Sequence, residues 1–388
     1  MNDLKEQIKK LESFLEQDPN NSRLVSDLID TQLRAGQLDQ AESHLVLGKK
    51  RWPENSIFSF QSGMLSLYRG QFQDAIVYFT SLLSTDVPQD MVRYNMAWAQ
   101  MAMHQPEQAL ETLSVLTEIP ARGLLLKARA LHYLGRMEEA EKLLVALEMD
   151  TELSMECKSM RALIALDNEK SEAALSLAKE LLNKNPDNVE GNLVAGTLSL
   201  TDGNLSEADK CFSVVLAQKP GSGRGWLGKG LLVMLKGDFV HSAEYLERAV
   251  ELMPNHLGTY NALAWAYICS GELGKAEEAA MRANTIEPRF AETQGTLAVI
   301  ALMKGDKPVA NVKAKLANRL SGNSFAGRFA KALLDSGVGE QANAERQLEQ
   351  ILNSEINNEG ETLVRALTRF QQKIGQGADP EKSKGSNH

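Results

Sequence analysis

The chain repeats one small residue at a fixed interval. Ala41, Ala75 and Ala109 stand 34 residues apart, and so do Ala140, Ala174, Ala208, Ser242, Ala276, Ala310 and Ala344. One step is irregular: from Ala109 to Ala140 it is 31. Gly36, Gly70, Gly203, Gly237, Gly271, Gly305 and Gly339 each precede one of these anchors by five residues. Pro19, Pro53, Pro186, Pro220, Pro254 and Pro288 recur in steps of 34 or its multiples. A constant period of this length is the mark of stacked structural repeats, and it narrows the possible folds more than any composition can.

Each period reads as two short helices. The glycine sits where the first helix must stop, because it takes the left-handed cap conformation at no steric cost. The second helix shows apolar residues at helical spacing, as in Ala208, Phe212, Val215 and Leu216. Proline ends the connection, since it cannot continue a helix and pushes its predecessor out of the helical region. The anchor is Ala or Ser because two backbones approach closely there. A single hairpin of this size cannot bury its own apolar face, so stability must come from each unit packing on the next.

The pattern resembles the tetratricopeptide repeat, whose signature is W-x2-L-G-x2-Y, then A-x3-F, then P. Tyr260, Leu263, Ala264, Tyr267, Ala276, Ala280 and Pro288 form the fullest copy. Trp226, Gly230, Ser242, Leu246, Ala249 and Pro254 form another, and Gly196, Ala208, Phe212 and Pro220 a third. The resemblance implies an all-α fold, an α-solenoid in which stacked two-helix units wind into a right-handed superhelix. Ten anchors give ten units over 21–355. Residues 1–20 are expected to be a half repeat that caps the first unit. "EGETLVRALTRFQQKIG" (359–375) carries Leu363, Ala366, Leu367 and Phe370 on one face, so 356–375 is expected to be a closing helix, with 376–388 a disordered tail. The short step divides the array into 21–120 and 121–355. A linker three residues shorter cannot keep the same rotation between neighbours, so a bend and a weak joint are expected near Pro120.

Composition excludes several function classes. Net charge is −9, from 51 acidic against 42 basic residues, and the basic residues are interspersed with acids, so nucleic-acid binding is not expected. The charged N-terminus has no apolar signal core, and no window of 18 uninterrupted apolar residues suggests a membrane span. Cys157, Cys211 and Cys269 are odd in number and far apart, which suits a reducing compartment and a cytoplasmic protein. "GSGRGWLGKG" (221–230) satisfies G-x-G-x-x-G. A phosphate loop, however, needs a strand before it and Ser or Thr after the lysine, and here Gly230 follows Lys229. The six histidines show no metal-ligand spacing, and no nucleophile elbow is present. Neither an enzyme nor a bound cofactor or metal is expected.

In the tetratricopeptide family the first helices line the concave side of the superhelix, where ligands usually lie. Residues about 15, 14, 11, 8 and 7 before each anchor face that groove. These are Phe60, Gln61, Met64, Leu67 and Tyr68 in the second unit, and Tyr94, Asn95, Trp98 and Met101 in the third. The fourth unit gives Leu125, Leu126, Arg129, His132 and Tyr133, the fifth Met160 and Leu163, and the eighth Asn261 and Trp265. Such residues can be shared core between neighbouring helices, as Leu125, Leu163 and Leu231 are expected to be. Phe60, Met64, Tyr68, Tyr94, Trp98, Met101 and Tyr133 are instead expected to form an open apolar-aromatic strip, since aromatics anchor interfaces and Met adapts to them. Asn95 could hold a peptide backbone, and Arg129 could pair a carboxylate. The Lys and Asn clamp by which cochaperone members of the family grip a C-terminal carboxylate has no equivalent here. Those places hold Ser26 and Asp30, Phe60 and Met64, Tyr94 and Trp98. The strip is similar to the apolar grooves of repeat chaperones that guard hydrophobic segments. The resulting expectation is a non-enzymatic adaptor or chaperone for an apolar or amphipathic segment of a partner protein, serving assembly of a multiprotein complex. The alternative is a scaffold that self-associates or joins a larger machine through its convex face or ends, with a homo-oligomer possible.

Overall fold

The computed structural model describes residues 2–116, 118–148 and 152–336, and among them there are twenty α-helices and no strand. A lone helix, α1 (Asn2–Gln17), comes first. Pairs follow: α2 (Ser22–Arg34) and α3 (Leu38–Arg51), α4 (Ser56–Tyr68) and α5 (Phe72–Ser81), α6 (Gln89–Ala102) and α7 (Pro106–Ser114), α8 (Ala121–Tyr133) and α9 (Met137–Leu147). Next come α10 (Ser154–Asp167) and α11 (Ser171–Lys184), α12 (Val189–Thr201) and α13 (Leu205–Gln218), α14 (Gly223–Leu235) and α15 (Phe239–Leu252). The series ends with α16 (Leu257–Ser270) and α17 (Leu273–Ile286), α18 (Ala291–Met303) and α19 (Lys307–Leu320), and α20 (Phe325–Ser336). The Gly339 and Ala344 positions of the tenth unit, the closing helix over 356–375 and the tail over 376–388 lie outside the described residues. The chain forms two compact units, Met1–Asn168 and Glu169–His388.

The anchors are where the helices touch. Ala41, Ala75, Ala109, Ala140, Ala174, Ala208, Ser242, Ala276 and Ala310 are all completely buried. Ser242 meets this condition as a polar residue because its hydroxyl donates to the Gly230 carbonyl at 2.9 Å. In the first unit, apolar layers form between successive helices. Val25, Ile29 and Leu33 meet Leu45 and Phe58, and α1 adds Leu15 to this layer. Phe60, Phe79 and Val92 build the next, and Leu126 closes on Ala97, Ala109 and Leu113. Each fully buried phenylalanine, such as Phe58 or Phe79, contributes about 1.5–3 kcal/mol of transfer free energy. In the second unit one continuous cluster runs from Ala243 and Leu246 through Leu263 and Tyr267 to Val299, Ala314 and Ala330.

The glycine five residues before each anchor is a backbone requirement. Gly36, Gly70, Gly203, Gly237, Gly271 and Gly305 all have φ between 72° and 84°, and so does Gly135, which holds the same place in the fourth unit. In the first unit the Gln37 N–H donates to the Gln32 carbonyl at 2.9 Å across the turn, closing the helix end. The third and fifth units have no glycine there. His104 and Glu169 take its place, each with φ of 58°, and the Gln105 N–H still donates to the Gln100 carbonyl at 2.9 Å. The turn is kept and a side chain is forced into a conformation it disfavours.

The glycine-rich stretch 221–230 lies mostly within α14 and serves packing. Gly223, Gly225, Gly228 and Gly230 are buried in it. A Cβ at Gly230 would come within 2.6 Å of Leu246, one at Gly225 within 2.8 Å of Val215, and one at Gly228 would overlap the Phe212 ring. Lys229 pairs with Asp209 and also donates to the Ser213 hydroxyl at 2.8 Å. The short step has an equally local origin. α7 spans 9 residues, against 14 in α3 and 10 in α5, and the link from α7 to α8 is also one residue shorter than the link from α5 to α6, so the missing length is shared between helix and connection. Pro120 then precedes α8 with φ of −56°, the value its ring imposes.

Candidate functional site

The first helices of the third and fourth units carry the surface of interest, within the first compact unit. On α6, Tyr94, Trp98 and Met101 recur at helical spacing and share one face. Trp98 is 39% exposed, a large value for a tryptophan, and its ring stands edge-on to Phe72 at 5.9 Å. Tyr94 and Met101 are half-buried against the layer of Ala97, Ala109, Leu113 and Leu126. Across from them, Arg122, Leu125, Leu126 and Arg129 occupy one face of α8. Together with Glu156 on α10 these side chains enclose a cleft of about 190 Å3.

Other members of the expected strip lie on α4, α6 and α8, outside the lining of this cleft. Tyr68 and Tyr133 are 50% and 56% exposed. His104 Nδ1 and the Tyr133 hydroxyl are 2.8 Å apart, so the residue in the strained turn position holds an aromatic of the strip. His132 Nε2 lies 2.7 Å from the Asp167 carboxylate. Arg129 is exposed. Asn95 is half-buried, and its Nδ2 donates to the Met91 carbonyl at 2.8 Å, within its own helix. Met64 is half-buried between two apolar layers.

Two expected positions are buried in the core, and a third is packed into an aromatic cluster. Phe60 is only 5% exposed because Gly63 leaves room for Phe79, whose ring lies 5.7 Å from that of Phe60. On α16 Asn261 is buried, and its Nδ2 donates to the Leu257 carbonyl and the Thr293 hydroxyl, both at 3.0 Å. Its amide joins two helices. Trp265 is half-buried, with Phe325 at 5.7 Å and Phe329 at 5.8 Å. Two positions of the absent clamp, Ser26 and Asp30, are also committed. Gln61 donates to the Ser26 carbonyl at 2.8 Å and to the Asp30 carboxylate at 2.8 Å, so these groups bind one another.

Sequence reasoning missed Arg122, Glu156, Phe72 and His104. Arg122 and Glu156 each stand 18 residues before their anchors, one turn ahead of the register counted, and that shared offset was the available signal. The chemistry available elsewhere is limited. Burial raises the Cys211 thiol and pushes Cys269 up to about 12, so neither is a thiolate nucleophile at neutral pH. Among the described residues no helix is long and apolar enough to cross a membrane, and no group of three acidic, His or Cys residues could hold a metal ion.

Known proteins can now be set beside this geometry. A family model described as tetratricopeptide repeat matches residues 159–222, and one described as the TT21 fifth ARM repeats domain matches residues 1–106. A stretch of 135 residues is 26% identical to human protein O-mannosyl-transferase TMTC1. It spans 33% of this chain and 15% of that relative. The crystal structure of the APC/C hetero-tetramer Cut9-Hcn1 is similar over 97% of this chain and 83% of that one, at 12% identity and a TM-score of 0.55. A tetratricopeptide repeat protein from Parabacteroides merdae is similar over 63% of this chain and 98% of its own, at 19% identity and a TM-score of 0.41. The 34-residue unit, the buried small anchors and the left-handed turns, together with the family match over residues 159–222 and the likeness in fold to Cut9-Hcn1, give the chain a tetratricopeptide-type repeat fold.

Proposed function

We propose that the chain is a non-enzymatic adaptor or chaperone that binds an apolar or amphipathic segment of a partner protein along α6 and α8. The exposure of Trp98 carries this reading. A tryptophan left 39% exposed beside a cleft, with Tyr68 and Tyr133 also open, presents anchors that a monomer does not need for its own stability. Burial of one such side chain contributes about 1.5–3 kcal/mol, so two or three anchors suffice for micromolar binding. The Cut9 assembly is a precedent for the fold in a multiprotein complex and nothing narrower. Three buried cysteines that form no disulfide among the described residues support a reducing, cytoplasmic setting. The test is affinity capture from the native host with the wild type and with Tyr94→Ala plus Trp98→Ala, each partner then being confirmed with purified components. Loss of a partner in the double variant is expected, and retention of every partner sinks the proposal.

A second reading, the scaffold, draws on the second helices. Val46 and Val77 are each 61% exposed, and they border a cleft of about 430 Å3 with Leu45, Tyr78 and Lys49. The Lys49 ammonium lies 4.6 Å over the Tyr78 ring, and burial lowers its pKa. This surface suits self-association or docking into a larger machine. A solution mass that stays oligomeric on dilution, and falls to monomer in Val46→Asp plus Val77→Asp, would favour it.

A further inference from the structure

The cleft between α6 and α8 carries a charge pattern that specifies what should enter it. In this acidic chain several arginines are neutralised within the fold. Arg69 holds Asp39 and Glu42 at 2.9 Å, Arg136 holds Glu139 at 2.7 Å, and Arg161 holds Glu141 at 2.8 Å. Arg122 and Arg129 are different. Both are exposed, both line the cleft, and among the described residues neither has an ion pair or a hydrogen bond. They stand seven residues apart on α8, two helical turns, so they share one face with about 10 Å of rise between them. Leu125 and Leu126, each 4% exposed, form the apolar floor between them. Trp98 and Tyr94 stand opposite.

We propose that this cleft is an acid-selective subsite. It takes a protein segment in which a carboxylate-bearing side chain neighbours an aliphatic or aromatic one. The carboxylate lies between Arg122 and Arg129, and the apolar neighbour lies on Leu125, Leu126 and Trp98. The proposal rests on the groove reading above and adds the chemistry of the occupant. Size supports a side chain as the guest, because about 190 Å3 is below the range of about 300–1,000 Å3 typical of small-molecule pockets. Charge supports an acid. A guanidinium is always protonated and offers a planar fork of donors that matches a carboxylate, and partial shielding by the aromatic walls strengthens the pair. Glu156 lines the same cleft and repels further negative charge, so one acid held by the two arginines is favoured over an acidic run. The same glutamate and the net charge of −9 disfavour a polyphosphate strand, although aromatics beside arginine can stack bases.

The test uses the full chain and three labelled dodecapeptides with the same Leu and Phe positions, spaced by Asp, by Gln or by Lys. Fluorescence anisotropy at low and high salt gives their affinities. The Asp peptide is expected to bind about tenfold tighter than the Gln peptide at low salt, with the gap closing as salt rises. Arg122→Glu plus Arg129→Glu should reverse the order towards the Lys peptide. Arg122→Gln plus Arg129→Gln should remove the preference by weakening the Asp peptide to the level of the Gln peptide, and far-UV circular dichroism checks the fold of each variant. Equal binding of the Asp and Gln peptides, lost in both cases with Trp98→Ala, would overturn the acid subsite and leave the groove standing. Binding of none of the three, or binding indifferent to Trp98→Ala plus Tyr94→Ala, would overturn both. Displacement of the Asp peptide by an equimolar oligothymidine would overturn the choice of a protein segment as the guest.

Discussion

Trp98 and Trp265 occupy the same place in their repeats, eleven residues before Ala109 and Ala276, and meet opposite fates. Trp98 is open to solvent beside a polar-rimmed cleft, and Trp265 is half-buried against Phe325 and Phe329. Register sets which way a side chain points. The next first helices decide whether anything covers it. Along α8 the facing residues are Arg122, Leu125, Leu126 and Arg129, which leave a gap. Beyond α16, Gly295 in α18 has no side chain, and α20 approaches so closely that a Cβ at Gly295 would overlap the Gly327 backbone. Glu292 fixes this approach by accepting from Phe325 N–H, Ala326 N–H and the Ser324 hydroxyl, all at 2.8 Å. The two α20 phenylalanines are thereby brought to Trp265. A groove tryptophan is open in one region and packed into an aromatic cluster in the other.

The largest expected effect separates those roles directly. Trp265→Ala removes an aromatic from a three-ring cluster and should cost about 3 kcal/mol, at the low end for such truncations because the ring is only half-buried. Trp98→Ala should cost less, about 1.5 kcal/mol, since 39% of its surface already faces solvent. Urea denaturation of the full chain measures both. Equal losses would break the comparison and make Trp98 a structural residue.

The second effect tests why Trp265 is covered. Gly295→Ala must push α20 away from α18, because backbone and not a flexible side chain stands in the way, and should cost about 2 kcal/mol. With Trp265 as the sole tryptophan, the same substitution should shift its emission to the red. A stability change within about 0.5 kcal/mol and an unmoved spectrum would show that the close approach is not what covers the ring.

The repeat itself was legible because its causes are local. Small anchors, turn glycines and stop prolines each answer a steric need that any observer of the chain can count. Burial at the groove was less legible, since it depends on residues one or two units away. Phe60 sits at groove register, yet Gly63 and Phe79 draw it into the core, and Trp265 is covered by side chains about 60 residues further on. Arg122 and Glu156 escaped because the counted positions began one turn too late. The division into Met1–Asn168 and Glu169–His388 left no mark that periodicity could reveal, because the step of 34 runs through it unchanged.

The irregular step offers a third contrast, between one joint and the regular ones of the same unit. We propose that the connection before Pro120 is the weaker joint, although Leu126 packs across it on Leu113. α7 is five residues shorter than α3, so fewer backbone hydrogen bonds hold it as a helix. Hydrogen exchange over 118–125 should be about tenfold faster than over 52–59, which corresponds to about 1.4 kcal/mol of opening free energy. Uniform protection in the two segments would remove the hinge.

The smallest effects compare the two turns that lack glycine. A non-glycine residue in the left-handed conformation costs about 1 kcal/mol, so Glu169→Gly should stabilise the chain by about that amount. Gly271→Ala should destabilise it similarly, with no crowding to add, since nothing lies within 4 Å of the position where its Cβ would stand. His104→Gly relieves the same strain and also removes the contact between His104 Nδ1 and the Tyr133 hydroxyl. An exposed hydrogen bond of this kind contributes about 0.5 kcal/mol, so the net gain should be only about half that of Glu169→Gly. His104→Asn, which tolerates the turn better but cannot reach the phenol as an imidazole does, should fall near His104→Gly. Thermal unfolding of the four variants reads these differences, and peptide affinity reads the second consequence. If His104 is retained at a cost in order to hold Tyr133 beside the cleft, His104→Gly must gain stability and weaken binding together. A gain equal to that of Glu169→Gly, with affinity unchanged, would mean that the histidine does nothing for the site.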